Sequence, residues 1–207
     1  MNIFFDTEFT GLVPNTTLIS LGCITEYGEK FYAEFTDYNK NLVDDWICKN
    51  VLNNLLLKNI KDHTLYLPSF SYNVEDYKED KNLTTFVKGI TEHVRVCFTK
   101  WLEYVNPNKE RIQFVSDVCH YDFYLLCNQV FGGAFNLPSN VCPWCHDICQ
   151  DLIDPNDGDI KDGFDAFNYS REEACKFYNQ GKLPEGKKHN ALYDAEVIKM
   201  IYEGMRK

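Results

Sequence analysis

The chain opens on Asn2-Ile-Phe-Phe5, a short apolar run that leads into Asp6 and reads as a strand. Residues 18–24 read as a second strand, Tyr27-Gly28-Glu29 as a turn, and residues 30–35 alternate as a third strand, so the first three elements form a meander. Across residues 43–57 apolar positions return at helical spacing. A longer helical stripe is carried by Phe86, Ile90, Val94, Cys97, Trp101 and Val105, and Asn106-Pro107-Asn108 stops it. Residues 111–115 read as another buried strand, followed by a helical pattern over about 121–131 that ends at Gly132-Gly133. Between 134 and 188 the pattern weakens into a Cys-rich segment, an acidic loop over 151–165 and a short helix near 171–179. A final helix from about Ala191 puts Ala191, Ala195, Ile198, Tyr202 and Met205 on its buried stripe. Three strands in succession, then alternating helix and strand, predict an α/β layer fold with a mixed sheet flanked by helices. No internal repeat and no linker stands out, so one domain over 1–207 is expected.

At 207 residues and 44% hydrophobic, the chain closes one sizeable core. With only 11 Gly and 7 Pro against 15 Phe and 13 Tyr, a long disordered segment is not expected. No apolar run approaches the roughly 18 residues of a membrane span, and Met1 is followed by Asn-Ile-Phe-Phe-Asp rather than by a basic and then an apolar stretch. No membrane segment and no export signal are therefore expected. Lys plus Arg number 21 against 31 Asp plus Glu, a net charge of −10, which speaks against coating a duplex by phosphate neutralisation. It leaves room for a metal-dependent nuclease, whose carboxylate-rich site is neutralised by cations. Nine cysteines, an odd number without an export signal, point to a reducing, cytoplasmic compartment.

Asp6-Thr7-Glu8 ends the first strand, and residues two apart on a strand project from one face. Taken alone, the pair reads more readily as a solvated acidic edge at a strand end. Two further acids join it: Asp122, just after the buried strand at 111–115, and Asp194, in the helix that Asn190 is placed to cap. His189 and Asp194, five apart, would diverge by about 140° on a continuous helix. His189 therefore belongs in the loop before the cap, with Asp194 facing inward. The result is four oxygen-donor residues suited to hard Mg²⁺ or Mn²⁺ ions, plus one titratable base.

The segments FFDTEFTGL, VSDVCHYDFYLL and HNALYDA together resemble the three motifs of the DEDDh 3′-to-5′ exonucleases, a branch of the RNase H-like superfamily. The small stand-alone exoribonucleases of mycobacterial type are the most similar, through a Tyr-Asp second motif and a His-Asx-Ala-Leu third motif. The resemblance implies an RNase H-like sheet, two bound Mg²⁺ or Mn²⁺ ions held by Asp6, Glu8, Asp122 and Asp194, and His189 as general base. It further implies that Thr10, Gly11 and Leu12 hold the terminal nucleotide, with Phe9 or Leu12 against a base and His189 at the substrate. For Phe9 and Leu12 plain core packing is an equal alternative. The implied substrate is a single-stranded RNA or DNA 3′ end, RNA ahead of DNA, and the implied product a nucleoside 5′-monophosphate. The assembly state is left open, a homodimer included. A binding module of the same fold, holding a nucleotide or a protein without turnover, is the rival reading. One departure stands out: many members carry a His-Asn pair before the second-motif acid, where this chain has Asp117-Val118.

Cys142-Pro-Trp-Cys145-His146 also matches a haem-attachment pattern, which needs export, and a glutaredoxin-like redox motif, which needs a preceding strand. Neither context is present. Zinc on Cys142, Cys145 and either His146 or Cys149 lacks a second Cys pair, so reduced thiols are the expectation. Asp154, Asn156 and Asp159 do not complete an EF-hand loop. His120 sits two residues before Asp122, near the site or at a helix cap.

Overall fold

The computed structural model describes residues 1–61, 64–66, 84–152 and 170–207. The expected acidic loop beyond residue 152, with Asp154, Asn156 and Asp159, lies outside these residues. The elements run β1 (Asn2–Phe9), β2 (Leu18–Thr25), β3 (Lys30–Phe35), α1 (Asp45–Asn50), β4 (Thr64–Tyr66), β5 (Thr84–Gly89), α2 (Thr91–Val105), β6 (Gln113–Ser116), α3 (His120–Leu125), β7 (His146–Asp147), α4 (Arg171–Tyr178) and α5 (Ala191–Gly204). The sheet order is β4-β5-β3-β2-β1-β6-β7. The first three strands form the expected antiparallel meander, while β6 adds parallel to β1 and β5 parallel to β3. This is the expected mixed sheet of an α/β fold.

The two-residue period of β1 sorts its side chains between two layers. Ile3 and Phe5 enter the core with α2 and the turns after α3, where Phe98, Trp101, Leu126 and Phe131 close over them. Phe4 enters the opposite core, formed with Tyr193, Val197, Ile198 and Ile201 of α5 and with Ala174 and Cys175 of α4. By the same period Asp6 and Glu8 share the α5 side of the sheet.

Three elements differ from expectation. Residues 84–89 are not the first turn of the long helix but the strand β5, with Thr85, Val87 and Gly89 buried in alternation. Thr-Thr-Phe-Val is a β-branched and aromatic run, and pairing along β3 outweighs its chance match to a helical stripe. The helix α2 starts only at Thr91, whose amide and hydroxyl donate to Asp37 at 3.0 Å. The helical spacing over 43–57 resolves into the short α1 between two 3₁₀ turns at Lys40–Leu42 and Leu52–Asn54. Asp44 caps α1 by accepting from the Ile47 amide at 2.7 Å. After α3 the backbone widens into a π turn over Leu126–Val130, with the Phe131 amide on the Leu126 carbonyl at 3.0 Å, before Gly132 ends it at φ +75°. Among the described residues no helix is long and apolar enough to cross a membrane.

Gly22 fixes the distance between sheet and α5. It pairs with Asp6 across β1 and β2, and a Cβ there would fall on the backbone of Ala191 and Leu192, far inside van der Waals contact. Backbone cannot rotate away as a side chain can, so Gly22→Ala is expected to destabilise by about 3 kcal/mol or more, at the upper end of overpacking costs. Urea unfolding reads this as a lowered midpoint at unchanged slope. A midpoint within error of the parent protein would mean that α5 shifts freely over the sheet.

Candidate active site

A cleft of about 520 Å³ opens where β1, the β6–α3 turn, α4 and the start of α5 meet. Asp6 and Glu8 rise into it from β1, and Asp194 faces it from the first turn of α5, brought close by the bare Cα of Gly22. Asp122 reaches it from α3 and is held by Thr7 of β1, whose amide and hydroxyl both donate to its Oδ1, at 3.0 and 2.6 Å. Asn190 caps α5 by accepting from the Tyr193 amide at 3.3 Å. His189 lies just outside the cap in the left-handed region at φ +61°, with its amide donating to Asp194 Oδ2 at 2.8 Å. For a non-glycine residue that backbone costs on the order of 1 kcal/mol or more and persists only where neighbours impose it. Here Asn54 imposes it, donating to the Lys188 carbonyl at 3.0 Å while its own carbonyl accepts from Asn190 at 2.9 Å. The Trp46 indole and the His189 ring meet edge to face, centroids 5.0 Å apart.

One donor atom each from Glu8, His189 and Asp194 lie within 4.8 Å of one another, a spacing that a single cation spans, and no other such group of three forms among the described residues. Asp6 and Asp122 line the same cleft. The electrostatics follow from this crowding. Burial first, then the charges of Asp194 and Asp122, push the Glu8 carboxyl up to about 8. Burial raises Asp194 to about 7 and Asp122 to about 6, while Asp6 is held well above the carboxylate range by burial and by its acidic neighbours. Without a cation Glu8 stays mostly protonated at neutral pH, Asp194 about half so, and Asp122 is mostly ionised. His189 moves the other way: burial, then Lys188 and Arg171, lower it below the ordinary 6.5, so its imidazole is neutral at pH 7.

The remaining expected residues are placed unevenly. Phe9, Gly11 and Leu12 line the cleft, with Leu12 75% exposed and Phe9 stacked on Tyr121 at 5.5 Å. Thr10 does not face the cleft. It is buried under the loop, where its hydroxyl accepts from the Thr17 amide at 3.0 Å and meets Thr16 at 3.2 Å. His120 is exposed at the start of α3 and away from the cleft.

The cleft also holds charged and aromatic residues outside the three motifs, Asp44, Trp46, Arg171 and Lys188 among them. An exposed Trp on a short polar helix was a legible signal for Trp46, and adjacency to His189 for Lys188. Nothing in sequence marks Arg171, because it arrives through the packing of α4 on α5. Asp117, the departure from the family pattern, is also in the cleft wall.

The Cys-rich segment supports the site from behind. Asp147 of β7 accepts from the amides of Val118 and Cys119 at 3.1 and 3.2 Å, fixing the turn between Asp117 and Asp122. Among the described residues, Cys142, Cys145, His146 and Cys149 form no metal-sized cluster, and the Cys145 thiol hydrogen-bonds with that of Cys119. Cys142 Sγ accepts from Arg111 at 2.9 Å, His146 pairs with Asp151 at 2.9 Å, and Cys145 donates to the His146 carbonyl at 3.5 Å. All nine cysteines are free thiols, and burial raises Cys149 to about 12.

No protein family and no curated protein matches the sequence. Among solved structures the chain is similar to the catalytic unit of Neurospora crassa Pan2, comprising protease and nuclease domain, at 14% identity and a TM-score of 0.43. That alignment covers 99% of this chain and 27% of the Pan2 chain, so this chain spans about a quarter of its length.

Proposed function

We propose that this chain is a metal-dependent 3′-to-5′ exonuclease of the DEDDh type, hydrolysing single-stranded nucleic acid, RNA in preference to DNA, to nucleoside 5′-monophosphates. The observation that carries the reading is the convergence of five residues from distant parts of the chain, Asp6, Glu8, Asp122, His189 and Asp194, on one cleft. The donor set fits the ions this chemistry needs. Six carboxylates line the cleft (Asp6, Glu8, Asp44, Asp117, Asp122, Asp194) against two cations (Arg171, Lys188), a formal −6 + 2 = −4 that two divalent ions balance. Oxygen donors of this kind suit hard Mg²⁺ or Mn²⁺. Asp6, Glu8, Asp122 and Asp194 would hold such ions, which would supply an acidified water and charge stabilisation on the phosphate.

The chain's own residues do the rest. A neutral His189 accepts the proton of the attacking water, and the bond from its amide to Asp194 fixes its backbone beside the acids. The exposed faces of Leu12 and Trp46, 75% and 53% exposed, offer apolar surface to a nucleobase beside the acids. A reducing, cytoplasmic setting keeps the nine cysteines as thiols. End-labelled RNA and DNA oligomers of matched sequence, incubated with Mn²⁺ or with a chelator, test the reading. Metal-dependent release of nucleoside 5′-monophosphates from the 3′ end is the expected result. Tight binding without turnover would favour the non-catalytic module instead.

The base has its own signature. His189→Ala is expected to lower kcat by about 10²- to 10⁴-fold. The parent rate should rise with pH through the imidazole pKa, below 6.5, and level off by neutrality. A profile of the same shape in the variant would transfer the role to metal-bound hydroxide.

A further inference from the structure

The departure at Asp117-Val118 has a structural counterpart on α4. Asp117 follows the last residue of β6 and its side chain is 1% exposed, yet it stands in a wall already carrying four acids. Its charge helps to push up both Asp6 and Asp122. A fifth buried carboxylate there adds repulsion, and burying such a charge costs several kcal/mol unless it is paired. The partner is Arg171, the first residue of α4, whose Nε donates to Asp117 Oδ2 while the side chain remains 35% exposed on the cleft wall. The backbone that carries Arg171 is fixed as well. Ser170 caps α4, Ala174 and Cys175 pack into the α5 core, and the Tyr193 hydroxyl donates to Glu172 at 2.7 Å. The guanidinium is thus anchored from both ends.

Its charge reaches Glu8, Asp194 and His189, the three groups whose donor atoms lie within 4.8 Å of one another. Neutralising carboxylates alone would be served by any cation. A guanidinium is planar, permanently charged and carries five donors in a fork that matches phosphate oxygens, which an ammonium does not. The count above already includes Arg171; without its charge the cleft holding two divalent ions would be left at a formal −1 and would repel an incoming phosphodiester.

We propose that Arg171, aimed by Asp117, binds the phosphate of the linkage to be cleaved at a single-stranded 3′ end, so that Asp117 is a positioning residue for substrate rather than a metal ligand. This rests on the nuclease reading. It puts an ion pair, from Asp117 just after β6 to Arg171 of α4, where the resembled motif has a His-Asn pair.

A dinucleoside monophosphate has one phosphate, the reacting one, and so isolates the contact. With Mn²⁺ and the full chain, Arg171→Ala is expected to lower kcat/KM for it by about 10- to 100-fold, the worth of a hydrogen bond to a charged group. Arg171→Lys should recover part of the loss, and Asp117→Asn should lower kcat/KM by about tenfold. Inhibition by the uncharged methylphosphonate analogue should be the same within twofold in the parent and Arg171→Ala proteins, because no phosphate charge is left to read. Weakening of both compounds alike, or a kcat/KM within threefold of the parent, would overturn the proposal and leave the ion pair a structural one. Should the parent protein cleave nothing, the nuclease reading fails by itself, and calorimetry with Mn²⁺ still decides Arg171. A preference for a nucleoside 5′-monophosphate over the nucleoside that disappears in Arg171→Ala supports the contact, and an undiminished preference overturns it.

Discussion

Each of Asp6→Asn, Glu8→Gln, Asp122→Asn and Asp194→Asn is expected to lower metal-dependent hydrolysis by about a thousandfold or more. That factor corresponds to about 4 kcal/mol of transition-state stabilisation, the scale on which a charge-stabilising cation acts. The substitutions keep shape and remove charge, so the fold should survive. In Asp122→Asn the side-chain carbonyl still accepts from the Thr7 amide and hydroxyl, and in Asp194→Asn it still accepts from the His189 amide. Removing one of several crowded like charges relieves repulsion in the metal-free protein, most visibly for Glu8, whose carboxyl is raised to about 8. The four variants should therefore lose activity while their metal-free unfolding temperatures at pH 8 stay level or rise. Manganese titration followed by calorimetry provides a second reading, since each variant should bind more weakly than the parent. A variant that kept near-parental turnover would remove its residue from the ligand set. A variant that lost both activity and fold would instead mark a structural acid.

Much of this site was legible because it depends on local periods. The two-residue repeat of a strand is enough to put Asp6 and Glu8 on one face, and the capping preference of Asn190 is enough to set His189 outside α5 with Asp194 inside. What the sequence hides are contacts made at long range. Arg171 meets Asp117 across 54 residues, and Asn54 holds the carbonyl of Lys188 across 134. Neither pairing leaves a periodic trace. Thr84-Thr85-Phe86-Val87 misleads in the opposite way, since Phe86 falls by chance on the helical stripe of α2 while tertiary pairing with β3 makes it strand. The two-residue β7 is invisible for the same reason: only its place beside β6 defines it. Thr10 shows the limit of motif transfer, because adjacency to the acids does not tell a loop brace from a ligand contact.

The crowded acids also make the metal-free protein sensitive to pH, with a sign opposite to that of ordinary acid denaturation. Free carboxyls titrate near 4 in the unfolded chain, whereas Asp122, Asp194 and Glu8 titrate at about 6, 7 and 8 in the fold and Asp6 is raised as well. Between those limits the native state holds more protons than the unfolded state, so stability falls as pH rises. The slope is negative from about pH 4 upward, Asp122, Asp194 and Glu8 dropping out of it in turn near 6, 7 and 8, with Asp6 acting in the same direction. His189 opposes them, because its lowered pKa makes folding release a proton below 6.5, but it is one group against four. Divalent ions reverse the trend. They bind the ionised carboxylates of the native state and stabilise it by mass action, and binding strengthens as protons leave. Thermal unfolding of the metal-free protein is therefore expected to occur at lower temperature at pH 8 than at pH 6. The gain from Mn²⁺ should be larger at pH 8, and Glu8→Gln should reduce both the pH slope and the gain. An unfolding temperature that climbed from pH 6 to 8 without metal would mean that the acids are ionised and separated in the native protein. Solvent, not cations, would then offset their repulsion, and the cleft would not be built for two ions.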